Sequence, residues 1–174
     1  MIYLVRHGQT DWNVIGKNQG HTDIELNETG IKQAKQLAEE LKEIKFDYVF
    51  SSPLKRAAET AKIIYTGDIT YDIRIMERCN GELEGLTNTK NMIDFSDPND
   101  TRYGVEPLTI FRDRITEFWN DITDNYSEKN VLVVTHAGVV IYSQEYFKGA
   151  PEDGNYRNYK IKNCDILKFD NPAR

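Results

Sequence analysis

Two of the three histidines in this chain share one context. His7 follows the apolar run Ile2-Tyr3-Leu4-Val5 with only Arg6 between, and Gly8 comes next. His136 follows Val131-Leu132-Val133-Val134 with only Thr135 between, and Ala137-Gly138 come next. Such runs read as buried parallel strands, and open α/β sheets bind ligands just beyond the carboxyl ends of their strands. A third run, Tyr48-Val49-Phe50, carries Ser51, Ser52 and Pro53 to the same edge, with Arg56 one turn into the helix that follows. Singly, these residues are unremarkable. A strand-end histidine is commonly a hydrogen-bonded packing group, and an arginine near a helix start is usually solvated and opposes the helix dipole. An anion held by the helix start removes that opposition, and the guanidinium fork matches phosphate oxygens. Arg6, His7, Arg56 and His136 together make a hole for a dianionic, tetrahedral group. Neighbouring cations favour the neutral imidazole, which leaves one histidine free to act as a nucleophile. The chemistry implied is phosphoryl transfer through a phosphohistidine.

The elements that position these residues alternate. Strands are predicted over 2–5, 48–50 and 131–134. A helix over 29–43 follows the first, with Ile31, Ala34, Leu37, Ala38, Leu41 and Ile44 on one face and Asn27 as its cap. A second helix starts from Ser52 as N-cap with Pro53 in its first turn, and runs through Leu54, Ala57, Ala58, Ala61 and Ile64. Leu108, Phe111, Ile115, Phe118, Trp119 and Ile122 mark a third, and a fourth runs from Val139 to Phe147. Residues 159–161 and 165–169 read as two strands around a turn at Asn163. The fold expected is α/β, a three-layer α/β/α sandwich with a mostly parallel central sheet and a short lid insertion. It forms one domain over 1–174, with a lid or cap over about 78–105. The stretch 86–105 is polar, rich in Asn and Asp and weakly periodic, and reads as an excursion over the sheet edge.

Composition bounds the function. With 22 Lys plus Arg against 28 Asp plus Glu, the net charge of −6 argues against a nucleic-acid groove or an anionic membrane surface as partner. Two cysteines without Cys-x-x-Cys spacing, Cys79 and Cys164, exclude a disulfide framework and a structural zinc site. Cys79 also lacks the Cys-x₅-Arg spacing of a cysteine phosphatase. No signal peptide or membrane span is legible, and the expected location is the cytoplasm. A Gly-x₄-Gly-Lys-Ser/Thr loop and a Gly-x-Ser-x-Gly elbow are both missing from the sequence.

Leu4-Val5-Arg6-His7-Gly8-Gln9-Thr10-Asp11-Trp12-Asn13 resembles the signature of the histidine phosphatase superfamily, in its phosphoglycerate-mutase-like branch. Further blocks extend the resemblance over nearly the whole chain, weakest across 86–105. They are Gly16-Lys17-Asn18-Gln19-Gly20 with Asp23, Leu26 and Thr29-Gly30; Ser51-Ser52-Pro53-Leu54-Lys55-Arg56-Ala57 with Thr60-Ala61; Glu77 to Gly81 with Glu84-Gly85; and Thr135-His136-Ala137-Gly138. The resemblance implies His7 as the phosphorylated nucleophile, Arg6, Arg56 and His136 as the clamp on the phosphoryl oxygens, and Glu77 as the general acid and then base. It further implies Gly8, Thr10, Asn13, Gln19, Gly20, Arg78 and Ala137 as phosphate or substrate contacts. No metal and no cofactor are implied, since arginines supply the charge stabilisation. Without the family, Glu77 reads as a surface carboxylate paired with Arg74 or Arg78. Glu106 with Arg114 resembles a family pattern too, and reads equally as a helix-start carboxylate. His21 is expected to be a loop histidine near the mouth.

Departures from the pattern fall outside the clamp: Gln9 for the frequent Glu, Lys17 for Arg, Pro107 for Ser, and Cys79-Asn80 for an aromatic pair. The family divides into mutases, which return the phosphoryl group to an organic hydroxyl, and phosphatases, which lose it to water. Only 26 residues separate Glu77 from Gly104, a short cover that admits water. The expected activity is hydrolysis of a small phosphomonoester, such as a sugar phosphate, a phosphorylated amino acid or α-ribazole phosphate. A cofactor-dependent phosphoglycerate mutase is the alternative. An inactive module that only binds phospho-ligands is disfavoured, because binding needs neither a nucleophile nor a proton donor.

Overall fold

The computed structural model describes residues 1–171 except 90, 91, 94 and 95. Five strands form one sheet: β1 (Ile2–Arg6), β2 (Tyr48–Ser51), β3 (Thr70–Tyr71), β4 (Val131–Thr135) and β5 (Ile166–Phe169), in the order β3-β2-β4-β1-β5. All pair in parallel except β5, which runs antiparallel to β1. The helices are α1 (Asp11–Val14), α2 (Glu28–Leu41), α3 (Lys55–Ile64), α4 (Leu108–Asn125) and α5 (Ala137–Lys148).

The pattern of branched residues explains the layers. β4 is buried at every position, so both its faces carry apolar side chains. Val131 and Val133 face one core with Phe111, Ile115, Phe118 and Trp119 of α4 and Val139 and Val140 of α5. Leu132 and Val134 face the other with Leu37 and Leu41 of α2 and Ala57 and Ala61 of α3. The outcome is the expected three-layer α/β/α sandwich. α2 is capped as predicted, the Asn27 side chain accepting from Gly30 N at 2.9 Å. Among the described residues no helix is long and apolar enough to cross a membrane.

This topology creates the crevice. β1 and β4 are neighbours, yet the helix after β1 packs on one face of the sheet and the helix after β4 on the other. Such a switch point opens a cleft beyond the carboxyl edge. Register aligns the strand ends there: Arg6 pairs with Thr135 and Ser51 with Val134.

Two local expectations are corrected. The second helix begins at Lys55 with Leu54 in the cap position, so Ser52 is not its N-cap. Ser52 Oγ instead meets His136, and accepts from Leu54 N at 3.3 Å in a turn ahead of the helix. Residues 159–161 form no strand: Tyr156–Tyr159 is a 3₁₀ turn. The carbonyls of Tyr159 and Ile161 are taken by Gln144 and Arg6 side chains, which removes them from any ladder. Strand β3 and helix α1 lacked a periodic signal, being two and four residues long. In the 86–105 stretch, a 3₁₀ turn spans Arg102–Gly104, and positions 90, 91, 94 and 95 lie outside the described residues.

Candidate active site

The first two histidines sit side by side. Leaving β1, His7 donates its backbone N–H to Thr135 O at 2.8 Å; leaving β4, His136 opens α5. Both rings are buried, their centroids 5.2 Å apart. His7 Nδ1 lies 2.7 Å from its neighbour's carbonyl, Gly8 O. A carbonyl only accepts, so in the neutral ring Nδ1 carries the proton and Nε2 keeps its lone pair. Gly8 N donates to Thr60 Oγ1, and Asn163 Nδ2 donates to His7 O, fixing the backbone on either side of the ring. Gly8 must be glycine: a Cβ there would stand 2.7 Å from Gly30 O.

The two arginines come from different elements. Arg56, in the first turn of α3, is 1% exposed. Its Nη1 and Nη2 donate to Thr22 O at 3.0 Å and Gly20 O at 2.8 Å. Arg6 Nη1 donates to Ile161 O at 2.7 Å. Both keep a buried Nε without a partner, as does His136 at Nδ1. Unsatisfied buried nitrogens are uncommon in native structures and call for a ligand or solvent. All three residues neighbour His7.

The electrostatics follow from burial. Burial first, and then the facing Arg56 guanidinium, hold both His7 and His136 well below the ordinary imidazole value. Both rings are therefore neutral near pH 7. Burial lowers Arg56 to about 10, opposed by the Glu77, Asp23 and Glu84 carboxylates; Arg6 is lowered by burial too, and Glu77 again opposes.

Glu77 lies on the loop after the 3₁₀ turn Ile73–Ile75. Its Oε1 accepts from Arg78 N at 2.9 Å and its Oε2 from Gly138 N at 3.0 Å, so the carboxyl bridges to the start of α5 beside His136. Arg74 turns away from it, pairing with Asp72, Glu117 and Asp121. Its backbone is held as well, Glu77 O accepting from Arg114 Nη2 at 3.0 Å and standing 2.7 Å from His21 Nε2. Arg114 also pairs with Glu106, whose Oε2 accepts from Cys79 N. Glu106 and Arg114 thus brace the acid-bearing loop. A side chain at Gly138 would displace the Glu77 carboxyl, since a Cβ would lie 2.3 Å from Glu77 Oε1.

The other expected contacts divide. Thr10 caps α1 through Asn13 N and donates to Gln19 Oε1 at 3.0 Å, so Thr10, Asn13 and Gln19 form one polar cluster beside the His7 loop. Gly20 contributes a carbonyl to Arg56 rather than a free amide cradle. Arg78 turns to Glu106 O at 2.7 Å. Ala137 is the first residue of α5, next to His136. Two surface hollows of about 430 Å³ each are lined by no histidine or arginine.

Sequence reasoning left Glu84, Ser52, His21 and Asn163 without roles in the site. Glu84 accepts from His21 N, Thr22 N, Thr22 Oγ1 and Asn80 N, at 2.9, 2.8, 2.6 and 3.0 Å. It thereby ties the loop whose carbonyls hold Arg56 to the loop that carries Glu77. Burial pushes the Glu84 carboxyl up, but these bonds outweigh it and hold it below the ordinary carboxylate value. Its place beside Gly85 in the acid-bearing block was a signal, without indicating the partners.

Fold and site define a class. The chain matches the family model of the histidine phosphatase superfamily (branch 1) over residues 2–171, and it belongs to that family. It is 38% identical over 158 residues to phosphoglycerate mutase-like protein 4 of Arabidopsis thaliana, covering 80% of this chain and 67% of that protein. It is also 38% identical over 146 residues to an uncharacterized phosphatase, PhoE, of Bacillus subtilis, covering 80% and 72%. A mutant phosphoserine phosphatase from Entamoeba histolytica in complex with phosphoserine superposes with a TM-score of 0.82 at 28% identity, covering 95% of this chain and 87% of that one.

Proposed function

We propose that this protein is a metal-independent phosphatase that hydrolyses a small phosphomonoester through a phosphohistidine on His7, with Glu77 as general acid and base. The observation that carries the reading is the convergence, from three strand ends, of a neutral His7 with a bare Nε2, a second neutral histidine 5.2 Å away, and the guanidinium groups of buried Arg56 and half-buried Arg6, each with a buried, unpartnered Nε. His7 Nε2 attacks phosphorus and the bond to the ester oxygen breaks. Arg6, Arg56 and His136 hold the three equatorial oxygens as their charge develops. Glu77 gives its proton to the departing alkoxide. Water then attacks phosphorus, Glu77 takes the water's proton, and the P–N bond breaks to release inorganic phosphate and free His7.

Family membership and the phosphatase and phosphoserine-bound relatives support a small phosphomonoester substrate. The described residues of the 78–105 stretch are the proposed cap that reads its organic part. The acidic net charge supports a substrate that is neither nucleic acid nor membrane, and two free thiols fit a reducing, cytoplasmic setting. Hydrolysis of an aryl phosphate without added metal, with and without EDTA, tests the reading for wild type and His7→Ala. Activity is expected to survive EDTA and to vanish in His7→Ala; the reverse of either sinks the mechanism. A panel of phosphometabolites, with 3-phosphoglycerate plus 2,3-bisphosphoglycerate among them, then separates hydrolase from mutase.

A further inference from the structure

Ser52 is buried at the carboxyl end of β2, its backbone N–H donating to Val134 O at 3.0 Å. Its hydroxyl lies 2.7 Å from His136 Nε2 and accepts from Leu54 N at 3.3 Å. We propose that Ser52 is a positioning residue that fixes His136 in the Nδ1–H tautomer, so that the second histidine meets the phosphoryl group as a hydrogen-bond donor. The proposal rests on the phosphatase reading above for its purpose, though not for its test.

A hydroxyl has one proton and two lone pairs. Leu54 N–H occupies one lone pair, and the remaining choice is which partner supplies the proton to His136. If Nε2–H donated to Ser52, the serine proton would be left buried without an acceptor among the described residues, and Nδ1 would turn a lone pair toward the phosphoryl oxygens. That is one unmade hydrogen bond and one repulsion. If Ser52 donates to Nε2, its proton is used, and Nδ1 carries the other. Nδ1 is the ring nitrogen left buried and unpartnered, alongside the Nε atoms of Arg6 and Arg56. Three buried N–H groups are then free to bond a ligand, as many as a phosphoryl group has non-bridging oxygens. His136 stays uncharged, buried near the Arg56 guanidinium, so a neutral ring must have its tautomer chosen for it, since only the imidazolium donates from both nitrogens. His7 obeys the same logic with a different partner: Gly8 O takes Nδ1–H, so its Nε2 is the bare nucleophile. The two histidines therefore present opposite chemistry to one ligand, lone pair from one and proton from the other, through their second hydrogen bonds.

The tautomer is read directly by long-range proton–nitrogen correlation spectra of ¹⁵N-labelled, phosphate-free protein at pH 8. The three ring systems are assigned from His7→Gln, His21→Gln and His136→Gln proteins. Wild type is expected to show His136 protonated at Nδ1 and bare at Nε2. Finding the proton on Nε2 overturns the proposal, with no variant needed. In Ser52→Ala the proton is expected to move toward Nε2, the tautomer favoured by free imidazole side chains; an unchanged spectrum in a folded Ser52→Ala protein also overturns it. Calorimetric titration with inorganic phosphate should show binding about 10- to 100-fold weaker in Ser52→Ala, the value of one charge-assisted hydrogen bond. Ser52→Thr keeps the hydroxyl and should keep both tautomer and affinity. Equal affinity in wild type and Ser52→Ala would show that Nδ1–H does not reach the phosphate. Neither readout needs turnover, so an enzyme that hydrolysed no ester would refute the phosphatase reading and leave the tautomer result to be judged separately.

Discussion

Two neutral imidazoles buried against two guanidinium groups make stability depend on pH in a window where few other groups titrate. In the unfolded chain each histidine protonates near pH 6.5. In the folded protein burial and Arg56 hold His7 and His136 well below that value. As pH falls below about 6.5 the unfolded state therefore binds protons that the folded state refuses, and stability is lost. At pH 5.5 each histidine costs up to about 1.4 kcal/mol, or about 2.8 kcal/mol for the pair. Above about pH 7.5 the loss is negligible. For a chain of this size, about 2.8 kcal/mol corresponds to a fall in Tm of roughly 6–11 °C. Urea unfolding at pH 7.5 and pH 5.5 measures it. His7→Gln and His136→Gln should each remove about half of the difference. Inorganic phosphate should shrink it in the wild type, because a bound dianion favours the imidazolium. If wild-type stability were flat from pH 7.5 to 5.5, or if both variants kept the whole loss, the rings would not be buried and neutral as described.

Glu77→Gln should slow the first half-reaction with an alkyl phosphate by about 10²–10⁴-fold and that with a nitrophenyl ester far less, because only the poor leaving group needs the proton. Gly138→Ala should show the same selectivity, since its Cβ would stand 2.3 Å from Glu77 Oε1 and displace the carboxyl; the alkyl-to-aryl ratio of single-turnover phosphorylation rates is the measurement for both. Arg56→Lys keeps the charge but loses the fork that reaches Gly20 O and Thr22 O while facing the phosphate. Its kcat/KM should fall by about 10²–10³-fold with an aryl phosphate, and a change under threefold would refute a contact between Arg56 and the phosphoryl group.

The amino-acid sequence by itself determined the layered sheet and the strand edge where His7, His136 and Arg56 lie. Runs such as 131–134 bury both faces whatever surrounds them, and a residue just past a parallel strand must lie at its carboxyl edge, so His7, His136 and Arg56 were legible from local spacing. Only tertiary structure decided the chemistry of each group. Ser52 looked like a helix cap, because serine before proline caps well; His136, 84 residues away, captures its hydroxyl instead. Residues 159–161 looked like a strand until Gln144 and Arg6 claimed the carbonyls. Glu77, Glu84 and His21 are ordinary loop residues until α5, α4 and the Gly20–Thr22 loop meet around them. Propensity and periodicity act over a few residues, whereas a hydrogen-bond partner is chosen by whatever the packed chain brings within 3 Å, and that choice fixes tautomer and charge.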